Sequence, residues 1–321
     1  MLLSITLIII GLAIIAWSSD KFVDGASALA KITGIPPLII GMVIMGFGTS
    51  APEMLVSASA ALNGTPGLAL GNAIGSNITN IALILGVTAL LIAVPVQSTI
   101  VRREIPLVFL AGVFSWWLIR DGAITRTDGI LLIIALFALL GWMVYAAKTQ
   151  QDQPFEEEVN EATEEDDLTY KQAVFWTLAG LVLLVISSKM LVEGATNIAQ
   201  FFGVSDLVIG LTIVAIGTSL PELAASISSV RKGEVNLAVG NIIGSNLFNN
   251  LAVMGIAAII APFSTPEDVL TRDLPIMLAL TALIVVFTFT PPKRYIISRW
   301  EAAVLLSIFV AYQLLLYFQS V

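Results

Sequence analysis

The sequence predicts an all-α polytopic membrane protein: ten transmembrane helices in two inverted five-helix repeats, with broken helices 2 and 7 at the centre. Three observations carry this. Of 321 residues, 57% are hydrophobic and only 12% charged, a balance that soluble domains do not have. The apolar residues fall into ten stretches near the 20 residues that a hydrocarbon core of about 30 Å requires. The stretch Gly48-Thr49-Ser50-Ala51-Pro52-Glu53 also returns 169 residues later as Gly217-Thr218-Ser219-Leu220-Pro221-Glu222. At the same offset Gly71-Asn72-Ala73-Ile74-Gly75-Ser76-Asn77 aligns with Gly240-Asn241-Ile242-Ile243-Gly244-Ser245-Asn246, Asn80 with Asn249, Val23-Asp24-Gly25-Ala26 with Val192-Glu193-Gly194-Ala195, and Arg103-Glu104-Ile105-Pro106 with Arg272-Asp273-Leu274-Pro275. A repeat of this reach is a duplicated half of the chain.

The expected spans are 2–19, 36–62, 68–93, 105–120 and 128–148, then 171–190, 205–230, 237–261, 274–290 and 298–318. Polar or proline-containing breaks separate them, including Asp20 to Lys31 after the first and Glu193 to Gly203 after the sixth. The first stretch has no basic segment before it and no small-residue cleavage site before Asp20, so it reads as a retained span. Five spans per half is an odd number, so two homologous halves, 1–148 and 171–321, must enter the membrane with opposite orientation, the plan of many secondary transporters. Their motif regions are 36–93 and 205–261. With the N-terminus outside, eleven Lys and Arg residues lie in cytoplasmic loops and four outside, which by the positive-inside rule places both termini outside. The join, 149–170, is then cytoplasmic. It carries nine acids and no base between 149 and 169, while the rest of the chain is at +1. Short, like-charged and poor in apolar residues, it reads as a disordered tether.

The chain has no cysteine and no histidine, which removes thiolate metal sites, a cysteine nucleophile and the usual proton shuttle. Between Ile32 and Val101 the only ionisable side chain is Glu53. A charge in hydrocarbon costs roughly 2.5–3.5 kcal/mol on insertion scales, so such a residue points to function. A helix-end glutamate that snorkels to water is the plainer alternative; its repetition at Glu222 argues against it. Pro52 offers no amide hydrogen to the Gly48 carbonyl and crowds it, so the helix must kink or unwind there, as it must at Pro221. An ordinary kink that eases packing would look the same in one span. Freed carbonyls at membrane depth are tolerated only where they are buried in protein or line a cavity. Thr49 and Ser50 lie on the face of Glu53, and Ser76 and Asn80 are four apart on the third span. A carboxylate, hydroxyls, a side-chain amide and loose carbonyls form an all-oxygen set suited to hard cations, Ca²⁺ more than the strictly octahedral Mg²⁺. Gly71, Gly75, Gly240 and Gly244 read as small residues that let helices approach.

The paired Gly-Thr-Ser-x-Pro-Glu and Gly-Asn-x-Ile-Gly-Ser-Asn stretches resemble the two α-repeats of the sodium/calcium exchangers, in the cation/Ca²⁺ antiporter superfamily. The resemblance covers nearly the whole chain and suggests a compact prokaryotic member in the cell (inner) membrane. It implies a secondary antiporter that exchanges Ca²⁺ for Na⁺ by alternating access, with the first and sixth spans sliding past the other eight. It also implies that Glu53 and Glu222 bridge the ions and that the backbone carbonyls of Thr49 and Thr218 contact Ca²⁺. The hydroxyls of Ser50, Ser219, Ser76 and Ser245, the carbonyls of Gly46 and Ala215, and the amides of Asn80 and Asn249 complete the sodium sites. Asn249 stands where some exchangers have aspartate, which leaves stoichiometry and counter-ion open. The expected partners are Ca²⁺ and Na⁺ as substrates and the lipid bilayer, with no cofactor and no nucleic acid. Exchange against H⁺, a requirement for K⁺, and a cation channel are the alternatives. An enzyme is disfavoured, because Ser50 and Ser219 have no histidine to activate them.

Overall fold

The computed structural model describes residues 1–96, 100–149, 168–203, 215–289 and 295–320. It is mostly helical, as expected. Among these residues seven helices are long and apolar enough to cross a membrane, or eight with one bent pair counted as a span. Large apolar side chains cover the outside: Leu2 is 83% and Phe318 72% exposed, the inverse of a soluble surface and suited to lipid.

α1 (Leu2–Thr33) contains 32 residues, about 48 Å at 1.5 Å per residue. The break expected from Asp20 to Lys31 does not occur. Polar side chains do not interrupt a helix when they have partners, and here they do: Asp20 Oδ1 accepts from Ser228 Oγ at 2.5 Å, the Asp20 carbonyl accepts from Lys232 Nζ at 2.9 Å, Lys232 also pairs with Asp24, and Ser27 donates to Glu234. The helix ends only where Gly34 takes a left-handed conformation at φ 65°. α7 (Tyr170–Phe201) likewise runs through the break expected at Glu193. A capping box of Thr169 and Gln172 starts it. We name the intervening helices α2 (Pro37–Thr49), α3 (Ala51–Leu62), α4 (Pro66–Leu91), α5 (Ile105–Ile119) and α6 (Arg126–Thr149). Those after α7 are α8 (Ala215–Thr218), α9 (Leu220–Arg231), α10 (Val235–Ile260), α11 (Leu274–Phe289) and α12 (Arg299–Ser320). The start of the expected seventh span and the acidic stretch of the linker lie outside the described residues.

α1 and α7 pack antiparallel along their length on glycines. A Cβ at Gly25 would stand 2.5 Å from the Thr177 amide nitrogen, and one at Gly180 2.7 Å from that of Phe22. The contacts repeat with partners exchanged. Gly11 meets Leu191 as Gly180 meets Phe22, and Gly25 meets Thr177 as Gly194 meets Ile8; every residue in the second contact is its counterpart in the first shifted by 169. A second tight crossing sets α2 on α10, where Gly41 faces Leu237 and Gly240, and Gly46 faces Gly244 and Ser245. Gly240 and Gly244 are thus packing residues, as expected. Gly71 and Gly75 line a cavity; the residues that would correspond to the α2 partners of Gly240 and Gly244, 207–211, lie outside the described residues.

α4 and α10 each widen into π-helical turns, at Thr79–Leu85 and Asn249–Val253, a rare device that concentrates at functional sites. Two short antiparallel ladders tie distant loops together. β1 (Val94–Pro95) pairs with β4 (Ile296–Ile297), and β2 (Ala123–Ile124) with β3 (Phe263–Ser264). They are the only departure from an all-helical structure among the described residues, and each is two residues long because it closes a loop.

Candidate functional site

Both signature stretches break their helices as proline chemistry requires. α2 and α3 meet at Ser50 with a bend of 40°, and α8 gives way to α9 at Ser219. Pro52 and Pro221 sit in the first turn of the second half-helix, where an amide hydrogen would have had no acceptor in any case. The carbonyl that each proline deprives lies in the preceding half-helix. Ser188 Oγ on α7 donates to that of Gly217 at 2.5 Å. Its counterpart Ser19 instead bonds back to Ala16 at 2.9 Å, so the two breaks are not finished alike.

Glu53 and Glu222 occupy the first turns of α3 and α9, at the positive end of each half-helix dipole. They are 0% and 1% exposed. Neither oxygen of Glu53 has a hydrogen-bond donor, nor has Oε2 of Glu222, and neither carboxylate has an ion-pair partner among the described residues. Hydroxyls from the opposite half of the chain interact with the pair, Thr218 with Glu53, and Thr49 and Ser50 with Glu222. The Ser50 contact is long, Oγ to Oε1 at 3.5 Å. The two carboxylates also stand close enough to feel one another's charge. Like charges side by side are a costly arrangement in low dielectric, and a cation between them would relieve it.

The other expected residues lie on the broken helices or on the elements packed against them. Thr49 Oγ lies 3.3 Å from Ser245 Oγ, and Gly46 packs on the Gly244–Ser245 backbone. The Gly46 carbonyl accepts from the Ser50 amide at 3.2 Å, which leaves it one free lone pair. Ser219 is buried with its hydroxyl unpartnered. The π-helical turn that holds Asn80 packs on α9 and α10, while the one that starts at Asn249 packs on α3 and α4. Both side-chain amides are buried and have no hydrogen-bond partner among the described residues. Ala215 opens α8, two turns of chain before Glu222. Ser76 and Thr218 line a cavity of about 340 Å³ shared with Thr79, Asn72, Asp273 and Tyr312. A set of carboxylate, hydroxyl, amide and carbonyl oxygens with no thiol or imidazole fits Ca²⁺ or Na⁺ and no softer ion.

The residues that sequence reasoning passed over are Asn72 and Asn241. Asn241 Nδ2 donates to the Glu222 carbonyl at 3.3 Å and to Ser226 Oγ at 3.1 Å, and its Oδ1 lies 3.1 Å from Thr49 Oγ, whose one hydrogen it shares with the Met45 carbonyl at 3.0 Å. Asn72 Nδ2 donates to the Glu53 carbonyl at 3.2 Å and to Ser57 Oγ at 3.0 Å. Their duplication beside the packing glycines was the available signal.

Comparison with known proteins gives one consistent answer. The sodium/calcium exchanger protein family matches residues 3–145 and 172–318, one block in each half. Inner membrane protein YrbG of Escherichia coli is 40% identical over 290 residues, 88% of each chain. Sodium/calcium exchanger MaX1 of Methanosarcina acetivorans is 28% identical over 97% of this chain and 98% of its own. A solved structure of the sodium-calcium exchanger NCX_Mj, soaked with 10 mM Na⁺ and no Ca²⁺, superposes with a TM-score of 0.83 at 27% identity, covering 97% of both chains.

Proposed function

Because the chain belongs to the sodium/calcium exchanger family, we propose that it exchanges Ca²⁺ for Na⁺ across the membrane at one shared site, with Glu53 and Glu222 as the charged ligands. The observation that carries this is the pair of buried carboxylates without a counter-charge among the described residues, each at the N-terminus of the second half of a broken helix. Ca²⁺ is neutralised by two carboxylates and needs six to eight oxygens. The backbone carbonyls of Thr49 and Thr218 supply further Ca²⁺ contacts. The hydroxyls of Ser50, Ser76, Ser219 and Ser245, the amide oxygens of Asn80 and Asn249, and the carbonyls of Gly46 and Ala215 serve Na⁺. Because the sets overlap, one ion must leave before the other loads, which is what antiport by alternating access demands.

The finer architecture is two inverted repeats of five helices, 1–148 and 171–321, around the broken second and seventh spans, with both termini outside and the acidic linker in the cytoplasm. Partner exchange along α1 and α7 supports the inversion, since a two-fold relation is what sends each contact to its shifted counterpart. The location is the inner membrane of a prokaryotic cell, in keeping with the name of the YrbG relative.

The test is ⁴⁵Ca²⁺ uptake into proteoliposomes with a gradient of Na⁺, of K⁺ or of pH imposed singly. Uptake driven by outward Na⁺ alone is the expected result. Uptake that runs on a pH step, or that needs K⁺ beside Na⁺, would reassign the counter-ion, and dissipative flux with no opposing ion would indicate a channel.

A further inference from the structure

The asparagine that opens each Gly-Asn-x-Ile-Gly-Ser-Asn stretch holds the backbone of a glutamate. Asn241 ties three elements with one side chain that is fully buried. From α10 it donates to the Glu222 carbonyl and to Ser226 Oγ on α9, and its Oδ1 shares the single Thr49 hydroxyl hydrogen, at the end of α2, with the Met45 carbonyl. Its amide has two donor hydrogens and one acceptor oxygen to offer; both donors are engaged and the oxygen faces the Thr49 hydroxyl. The Thr49 end matters because the next residue, Ser50, caps α3 and sets where Glu53 begins its turn. One amide therefore links the backbone of the second carboxylate to the break that places the first. Asn72 repeats the donor half of this arrangement from α4, with the Glu53 carbonyl and Ser57 Oγ.

From this geometry we propose that Asn241 and Asn72 are positioning residues that set the spacing between Glu53 and Glu222, and through it the preference for Ca²⁺ over Na⁺. The inference rests on the exchange site described above. Its physical basis is the charge product. With a given carboxylate, Ca²⁺ interacts twice as strongly as Na⁺ at equal distance and dielectric, so a change in carboxylate spacing falls more heavily on the divalent ion. A divalent ion neutralised by two carboxylates also requires both at bonding distance together, whereas a monovalent ion is satisfied by one.

The experiment is ⁴⁵Ca²⁺–Ca²⁺ exchange in proteoliposomes of the full-length protein, read for the half-saturating Ca²⁺ concentration and for the Na⁺ concentration that halves the flux. Loss of these hydrogen bonds in Asn241→Ala should raise half-saturating Ca²⁺ by about tenfold, while the half-inhibitory Na⁺, measured at half-saturating Ca²⁺ for each protein, moves by less than about threefold. Asn72→Ala, which removes fewer bonds from a less buried residue, should shift Ca²⁺ in the same direction by about threefold, and it decides the matter if Asn241→Ala does not fold. Ser226→Ala removes one partner and should give the smallest shift. A fall in maximal rate alone, or equal factors for both ions, would assign the asparagines to structure and overturn the proposal. Wild-type protein that shows no exchange, or exchange that Na⁺ does not inhibit, would instead overturn the function on which the proposal stands.

Discussion

Glu53 and Glu222 are the residues on which the account turns, and they were legible because each is a lone charge in an apolar stretch and because the stretch occurs twice. Glu53→Gln or Glu222→Gln halves the charge that opposes a divalent ion in low dielectric, so either should lower Ca²⁺ exchange by about two orders of magnitude or more. Both variants should fold and insert, since losing a buried charge relieves the empty protein of a cost; size-exclusion profiles in detergent will show this beside the flux. Asn72 and Asn241 were not legible in the same way. Their neighbours Gly240 and Gly244 signal close helix packing, which is what they do, and nothing in the sequence says that the asparagine between them reaches a carbonyl on another helix. Ser188 is a similar case. The proline at 221 predicts a carbonyl without its donor, but that a hydroxyl on α7 supplies one follows only from the packing of α7 on the break.

At the level of helices, composition located the spans well where a proline or glycine ended them and poorly where charge was taken for an end. α1 runs past its charged residues because Asp20, Asp24 and Ser27 find partners at the end of α9 and in the turn after it, and a satisfied polar side chain leaves the helix backbone intact; α7 likewise continues through Glu193. The glycine seam between α1 and α7 predicts unequal responses to one added methyl group. Gly25→Ala puts a Cβ 2.5 Å from the Thr177 nitrogen, between two backbones that cannot both stay, and should destabilise the protein by about 1–3 kcal/mol. Gly141→Ala, in α6 with nothing described within 4 Å, should be neutral or stabilise by up to about 1 kcal/mol, since alanine suits a helix interior better than glycine. Thermal unfolding in detergent distinguishes the two; equal melting temperatures would show that the seam tolerates a larger separation.

For the whole molecule, the 169-residue offset made the duplication readable, whereas the exchange of partners between α1 and α7 and the ladders that tie distant loops needed coordinates. The sequence reads the acidic linker as a tether, so deleting residues 152–167 should leave Ca²⁺ flux within about twofold of the full chain; loss of flux at saturating Ca²⁺ would give it a role in transport. With amides at Asn80 and Asn249, the site carries two negative charges. One Ca²⁺ neutralises them, and the three Na⁺ that the family resemblance implies leave it at +1. A charge that crosses the membrane potential is worth about 2.3 kcal/mol per 100 mV, so in Na⁺-loaded liposomes an inside-positive potential should accelerate Ca²⁺ uptake, and indifference to the potential would point to two Na⁺. The most direct test of the central claim, one site shared by two ions and built on both glutamates, is equilibrium ⁴⁵Ca²⁺ binding to the purified protein at rising Na⁺. The account predicts saturable binding that Na⁺ displaces fully in the wild type and that is lost in Glu53→Gln and in Glu222→Gln alike. Binding that survives in either variant, or that Na⁺ leaves untouched, would contradict it.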